Sequence, residues 1–208
     1  TATGACTNLS LTTDGQGGAI AAWADSRAAW TDIYVRRIDQ QGTARWTADG
    51  VAACNAAGNQ TEPVVLADGL GGAFVAWKDQ RMGATDVYAQ RVNSAGSIAW
   101  GAEGAPVCTA AYDQNDVALA LGGNNDLFAA WNDARTFVTS TSVYLQRVDE
   151  WGMLGAEPVI RSVADVPNDQ GGLVKLSWDA SPLDTDPAYR NIADYAILSA
   201  NYGMIGGN

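Results

Sequence analysis

The chain has no histidine. That removes the usual general base, the usual partner of a nucleophilic serine or cysteine, and the commonest nitrogen ligand for a metal. Basic residues are scarce: 12 Lys and Arg stand against 23 Asp and Glu, a net charge of −11. Nucleic acid and anionic membrane both select basic surfaces, so neither is an expected partner. No apolar run approaches the ~20 residues of a membrane-spanning helix, and no membrane insertion is expected. Cys6, Cys54 and Cys108 are the only cysteines, and none stands in CxxC spacing, which speaks against zinc. They read either as small core residues or as containing one disulfide that joins Cys6 to another in an oxidising compartment. No stretch sustains an apolar period of 3.6 residues, so helix is not expected. Thr1 is preceded by no initiator Met and begins no signal peptide, so the chain reads as a mature or excised piece.

What is present is repetition. DGLGGAFVAWKDQRMGATDVYAQR runs from Asp68 to Arg91, and nearly the same string, DGQGGAIAAWADSRAAWTDIYVRR, runs from Asp14 to Arg37. A third copy, GGNNDLFAAWNDARTFVTSTSVYLQR, spans Gly122 to Arg147. Trp23, Trp77 and Trp131 are 54 residues apart, as are Asp25, Asp79 and Asp133, and Arg27, Arg81 and Arg135. Tyr34 to Tyr88 is also 54, but Tyr88 to Tyr144 is 56, which places a two-residue insertion near Thr139. Gly42, Gly96 and Gly152 follow the tyrosines at a constant offset. One unit is arrayed three times, and that governs the reading of every residue in it.

Turn residues cut the second unit into four short strands. Glu62–Ala67 is the first, and the Asp-Gly and Gly-Gly cluster at Asp68–Gly72 turns the chain. Ala73–Asp79 and Thr85–Asn93 alternate as strands, and Ser97–Trp100 begins the fourth. Four antiparallel strands in a unit of this length predict an all-β chain of β-propeller blades. An open solenoid or a sandwich is the alternative architecture. A single sheet buries its faces only against neighbours, so Trp23, Trp77 and Trp131 are expected as wedges between blades.

DGxGGAxxAWxDxR, then DxYxxR, then a Gly and a Trp, resembles a tandem repeat of large bacterial secreted and surface proteins that is assigned to β-propellers. The resemblance covers roughly Asp14 to Glu157. In the third copy GGNND replaces DGxGG, and Leu154 is read as standing where Trp46 and Trp100 stand. The start reads as ragged, because Cys6 to Asp14 is 8 residues whereas Cys54 to Asp68 is 14. Beyond the repeats, DVPNDQGGLVKLSWD, ASPLD and IADYAIL resemble the opening of a fibronectin type III domain. There Pro167 would precede the first strand, Trp178 would be the core Trp of the second, and Tyr195 would lie on the third. Such a sandwich needs roughly 90–100 residues, so the segment reads as cut off in mid-fold. The expected domains are residues 1–160, propeller repeats forming part of a larger ring, and residues 161–208, a partial sandwich.

The sharpest candidate constellation is the repeated Asp-x-Arg: Asp25/Arg27, Asp79/Arg81 and Asp133/Arg135. It reads as a ligand rim for sugar or metal, or as a folding device copied into each repeat. Copying favours the device, since a catalytic centre is normally unique. Asp32 and Asp86 read as loop-to-strand caps. No cofactor is expected. Ca²⁺ is left open, although no calcium loop is present. Glu62, Glu103, Asp113 and Asp116 could supply a carboxylate pair for glycoside hydrolysis. Trp30, Trp46 and Trp100 could stack on sugar rings, or belong to the core. The favoured function is a non-catalytic scaffold or binding module of a secreted or cell-surface bacterial protein, with glycan or protein as ligand. The alternatives are the accessory propeller of a secreted hydrolase, and a propeller that is itself an acid-based enzyme. Three blades leave two raw faces, so the expected partners are further blades of the same parent protein or a second copy of this chain.

Overall fold

The computed structural model describes residues 4–137, 140–155, 159–165 and 174–179, the last two stretches and positions 136, 137 and 140 by backbone alone. Two compact units divide the chain, Thr1–Glu157 and Pro158–Asn208. The described residues are almost wholly β, with a single 3-10 turn at Gly123–Asn125.

In the first unit, β1 (Cys6–Thr13), β2 (Ala19–Asp25), β3 (Asp32–Ile38) and β4 (Val51–Cys54) form one antiparallel sheet in chain order. β5 (Gln60–Ala67), β6 (Ala73–Asp79), β7 (Asp86–Val92) and β8 (Ala105–Cys108) repeat it. The third sheet has three strands among the described residues: β9 (Gln114–Leu121), β10 (Leu127–Phe137) and β11 (Ser140–Val148). A four-stranded third repeat is therefore corrected. The stretch in register with β4 and β8 falls within β12 (Val159–Asp165), which pairs instead with β13 (Val174–Asp179) in the second unit. β13 carries Trp178; Pro167 and Tyr195 lie outside the described residues. The insertion lengthens the β10–β11 hairpin, whose register shifts between Asp133 and Phe137.

The fourth strand also starts later than the sequence suggests. Ser97–Trp100 makes only the isolated bridge Val92–Ile98, and β8 begins at Ala105. The same bridge recurs as Ile38–Ala44 and Val148–Leu154. Leu154 thus corresponds to Ala44 and Ile98, not to Trp46 and Trp100. Position 156, an alanine outside the described residues, is the one in register with those tryptophans. The ragged start resolves in the same way. Cys6 opens β1 as Gln60 opens β5 and Gln114 opens β9, so its counterpart is Gln60, not Cys54.

The sheets stack face to face. Ile20, Ala22, Ala24, Ile33 and Val35 of the first sheet share one core with Val65, Ala73, Val75, Trp77 and Val92 of the second. The reverse face of the second sheet, Phe74, Ala76, Val87 and Ala89, meets Leu127, Ala129, Trp131 and Val148 of the third. Period-two alternation lets one strand serve two cores, and this is why β6 and β7 are buried almost throughout. Backbone bonds between sheets fix the stacking: the Gln60 amide donates to the Thr31 carbonyl and the Gln114 amide to the Thr85 carbonyl, both at 2.7 Å.

The hairpin turns hold a second ion pair. Asp14 Oδ1 accepts from the amides of Gln16 and Gly18, and Asp68 Oδ1 from those of Leu70 and Gly72, at 2.7–2.8 Å. Their second oxygens face Arg37 at 3.0 Å and Arg91 at 3.4 Å. In the third copy the first turn position is Gly122, and the acid sits at the last, where Asp126 meets Arg147 at 2.9 Å. A Cβ at Gly72 would lie 2.7 Å from the Asp68 carboxylate, so the two positions aim at one spot.

Candidate functional site

At one end of each sheet four residues close on one another. The indole N–H of Trp23, Trp77 and Trp131 donates to Oδ2 of Asp25, Asp79 and Asp133 at 2.9, 2.8 and 2.8 Å. The two residues are i and i+2 on one strand, so they face the same side. The chain then turns, and the amides of Arg27, Arg81 and Arg135 donate to the other oxygen, Oδ1, at 2.9, 3.0 and 2.8 Å. Their Nη2 atoms reach back to Oδ2 at 2.5, 2.6 and 2.7 Å. Each guanidinium lies over the ring of Tyr34, Tyr88 or Tyr144, 3.8–4.0 Å from the centroid. That tyrosine pairs across the ladder with the same tryptophan. Both oxygens of each aspartate accept hydrogen bonds, and all three carboxylates are fully buried.

Neighbouring sheets complete two of the three sets. Arg81 Nη2 donates to Cys54 Sγ at 3.3 Å and Arg135 Nη2 to Cys108 Sγ at 3.1 Å, both across a sheet interface. The buried thiol of Cys54 is pushed up to about 11 by loss of hydration. All three cysteines are free. Cys6 and Cys54 stand three strand steps apart at the same end of the first sheet, roughly 14 Å at the usual strand spacing, too far for a disulfide.

The electrostatics follow from the contacts. The hydrogen bond from Arg27 holds Asp25 well below the ordinary carboxylate range, outweighing its burial. Burial pushes Asp133 upward, but the bonds from Arg135 and Trp131 prevail and hold it low. Asp32 and Asp86, opposite Asp25 and Asp79 in the ladder, are raised, by burial first and then by that neighbouring charge. The third sheet has Ser142 in that place.

The remaining sequence candidates are dispersed. Glu62 pairs with Lys78 at 2.9 Å, and Asp116 accepts from Asn132 at 2.7 Å. Glu103 faces Arg81 at 3.4 Å, and Asp113 accepts from the Thr85 amide at 2.9 Å. Trp46 and Trp100 are buried core residues, whereas Trp30 is exposed. Trp77 and Trp131 are buried between sheets. Trp23 is not: it is only partly buried, on a face that no other described sheet covers. Among the described residues no group of three or more His, Cys, Asp or Glu is placed to hold a metal.

One feature is invisible to motif reading. Asn8, Glu62 and Asp116 occupy the same position in β1, β5 and β9, at a bulge, with φ of 52, 51 and 54°. Their side chains are exposed. The letters differ, and only the spacing of 54 residues links them.

No protein-family model matches the chain, and none of the curated proteins does. Among the solved structures similar to it are two of carbohydrate-active enzymes. One is described as the α-L-arabinofuranosidase Arb93A from Fusarium graminearum with an iminosugar inhibitor, at 14% identity and TM-score 0.42, over 78% of this chain and 54% of that one. The other is described as showing that the GH130 family of mannoside phosphorylases contains glycoside hydrolases that target β-1,2 mannosidic linkages in Candida mannan. It has 10% identity and TM-score 0.40, over 75% of this chain and 53% of that one. The chain spans about half the length of these structures. At that identity and score the likeness assigns neither an activity nor a substrate.

Proposed function

We propose that the three stacked sheets are successive blades of a β-propeller, and that this propeller is a non-catalytic scaffold or binding module of a secreted or surface bacterial protein. The observation that carries the non-catalytic reading is the closure of the Trp-Asp-Arg-Tyr set. Its carboxylate is consumed by an indole, an amide and a guanidinium, and the same arrangement stands in all three sheets of the first unit. A group so satisfied and so copied stabilises a fold; it does not turn over a substrate. The candidate acids outside the set each have a cation or an amide of their own. The propeller reading is supported by two interfaces built alike, in which β1 lies along β5 and β5 along β9.

A glycan or a protein ligand would meet the exposed polar bulge row Asn8, Glu62 and Asp116, where side chains vary on a constant backbone. The test is a glycan array and a panel of chromogenic glycosides, run on the same purified chain. Saturable retention without turnover is the expected result. Turnover that Glu62→Gln or Asp116→Asn abolishes would overturn it.

A further inference from the structure

The turns after the third strands share one hydrogen-bond pattern. Asp39, Asn93 and Asp149 each accept two turn amides at 2.8–3.0 Å, and Gly42, Gly96 and Gly152 close the turns with φ of 78, 83 and 84°. Two of the three are occupied. Trp46 of the first sheet donates its indole N–H to the Ser94 carbonyl at 3.1 Å, and its ring lies 2.7 Å from where a Cβ on Gly96 would stand. Trp100 of the second sheet does the same at Glu150, 3.0 Å, and Gly152, 2.8 Å. At Gly42 no described residue comes within 4 Å of that point.

The face beside this turn is open too. A depression of about 360 Å³ is lined by Leu11, Ala19, Ala21, Trp23, Arg36 and Ile38. Their counterparts in the second sheet are Val65, Ala73, Val75, Trp77, Gln90 and Val92, all buried, with most of them in the core shared with the first sheet. Leu11 is 67% exposed where Val65 is 6%. Arg36 replaces a glutamine whose Nε2 faces the Ala53 carbonyl of the preceding sheet at 3.5 Å, and the Arg36 Nε has no partner among the described residues.

We propose that the open face of the first sheet seats a preceding repeat of the same pattern, whose post-turn tryptophan packs on Gly42 and donates to the Gln40 carbonyl. The inference rests on the propeller reading and deepens it, because the socket specifies its occupant. The interface would continue one already made twice in the same register. A second copy of this chain does not qualify head to tail, since its third repeat carries Ala156 where the tryptophan is required.

The native spacing supplies the test. Duplicating residues 1–54 ahead of Thr1 extends the array in register and brings a copy of Trp46 to the socket. Leu11→Cys in the original first sheet then reports coverage through its labelling rate, read by peptide mapping. The extended chain is expected to label about tenfold more slowly at position 11 than the unextended one. Trp46→Ala in the added copy alone should abolish that protection. As an independent variant, Gly42→Ala should lower the melting temperature more in the extended chain than in the unextended one. Protection that survives Trp46→Ala, with no added penalty for Gly42→Ala, overturns the socket and leaves the stacked-blade reading standing. Absence of protection with the intact copy overturns both. Concentration-dependent protection in the unextended chain assigns the face to a second copy and overturns the proposal.

Discussion

Trp77 and Trp23 hold the same place in neighbouring sheets, donate to the same aspartate oxygen and pair across the ladder with the same tyrosine. Trp77 is fully buried; Trp23 is not. The ion pairs differ in step. Arg81 and Arg135 reach the sulfurs of Cys54 and Cys108 on the adjoining sheet, while Arg27 has no such contact among the described residues. Sequence is nearly constant between the two, so the difference comes from the neighbour. The second sheet has one on each face and the first has one. A repeat of this kind carries its polar device within itself and borrows its hydrophobic cover.

That contrast can be broken by matched substitutions. Trp77→Ala should cost ~3–5 kcal/mol in a denaturant titration, as for other buried aromatics. Trp23→Ala should cost roughly 1–2 kcal/mol, because less apolar surface leaves water on folding. Equal losses would mean that the faces are equally covered. Gly96→Ala combines a left-handed backbone with a collision against Trp46 and should cost about 2–3 kcal/mol; Gly42→Ala carries only the backbone term, about 1 kcal/mol. The same melting experiment on both variants ranks them.

Acid separates the aspartates. Asp25 and Asp133 are held low in the fold. Their stabilisation is complete above the unfolded value near 4 and is lost as pH falls through the still lower folded value. Asp32 and Asp86 are raised, so their ionisation costs stability as pH climbs from about 4 through the folded value. Denaturation midpoints against pH should therefore decline less steeply below about pH 4 in Asp25→Asn than in the parent. Above that pH, Asp86→Asn should escape the parent's loss. The mildest expectation concerns thiols. Exposed Cys6 should alkylate in the native state, and Cys54 and Cys108 only after unfolding.

The repeat and its strands were readable because 54-residue spacing, turn residues and period-two alternation all agree in Asp14–Arg37 and Asp68–Arg91. β2 and β6 fall where the pattern puts them. The fourth strand was misplaced because Ser97–Trp100 is apolar for another reason: Trp100 packs on the next sheet's turn. Cys6 was aligned with Cys54 by identity of letter, although the ladder aligns it with Gln60. Asp-x-Arg was legible as a pair, but its closure was not: the tyrosine is a cross-strand neighbour, and the tryptophan two residues before the aspartate reads equally well as core. The bulge row escaped because Asn, Glu and Asp share no motif.

The carboxylate at Asp126 has a consequence for how such arrays change over time. The layout of the first two turns and that of the third satisfy one arginine from opposite ends of five residues. Between them a single substitution is expected to cost stability whichever acid changes first. Adding the second acid first, as in Gly72→Asp, sets two negative charges on one spot, with the new Cβ 2.7 Å from the old carboxylate. Removing the first acid first leaves a guanidinium, 14% exposed at Arg91, without its counter-ion. The third repeat is thus no faded copy of the others. It meets the same arginine from the other end of the turn.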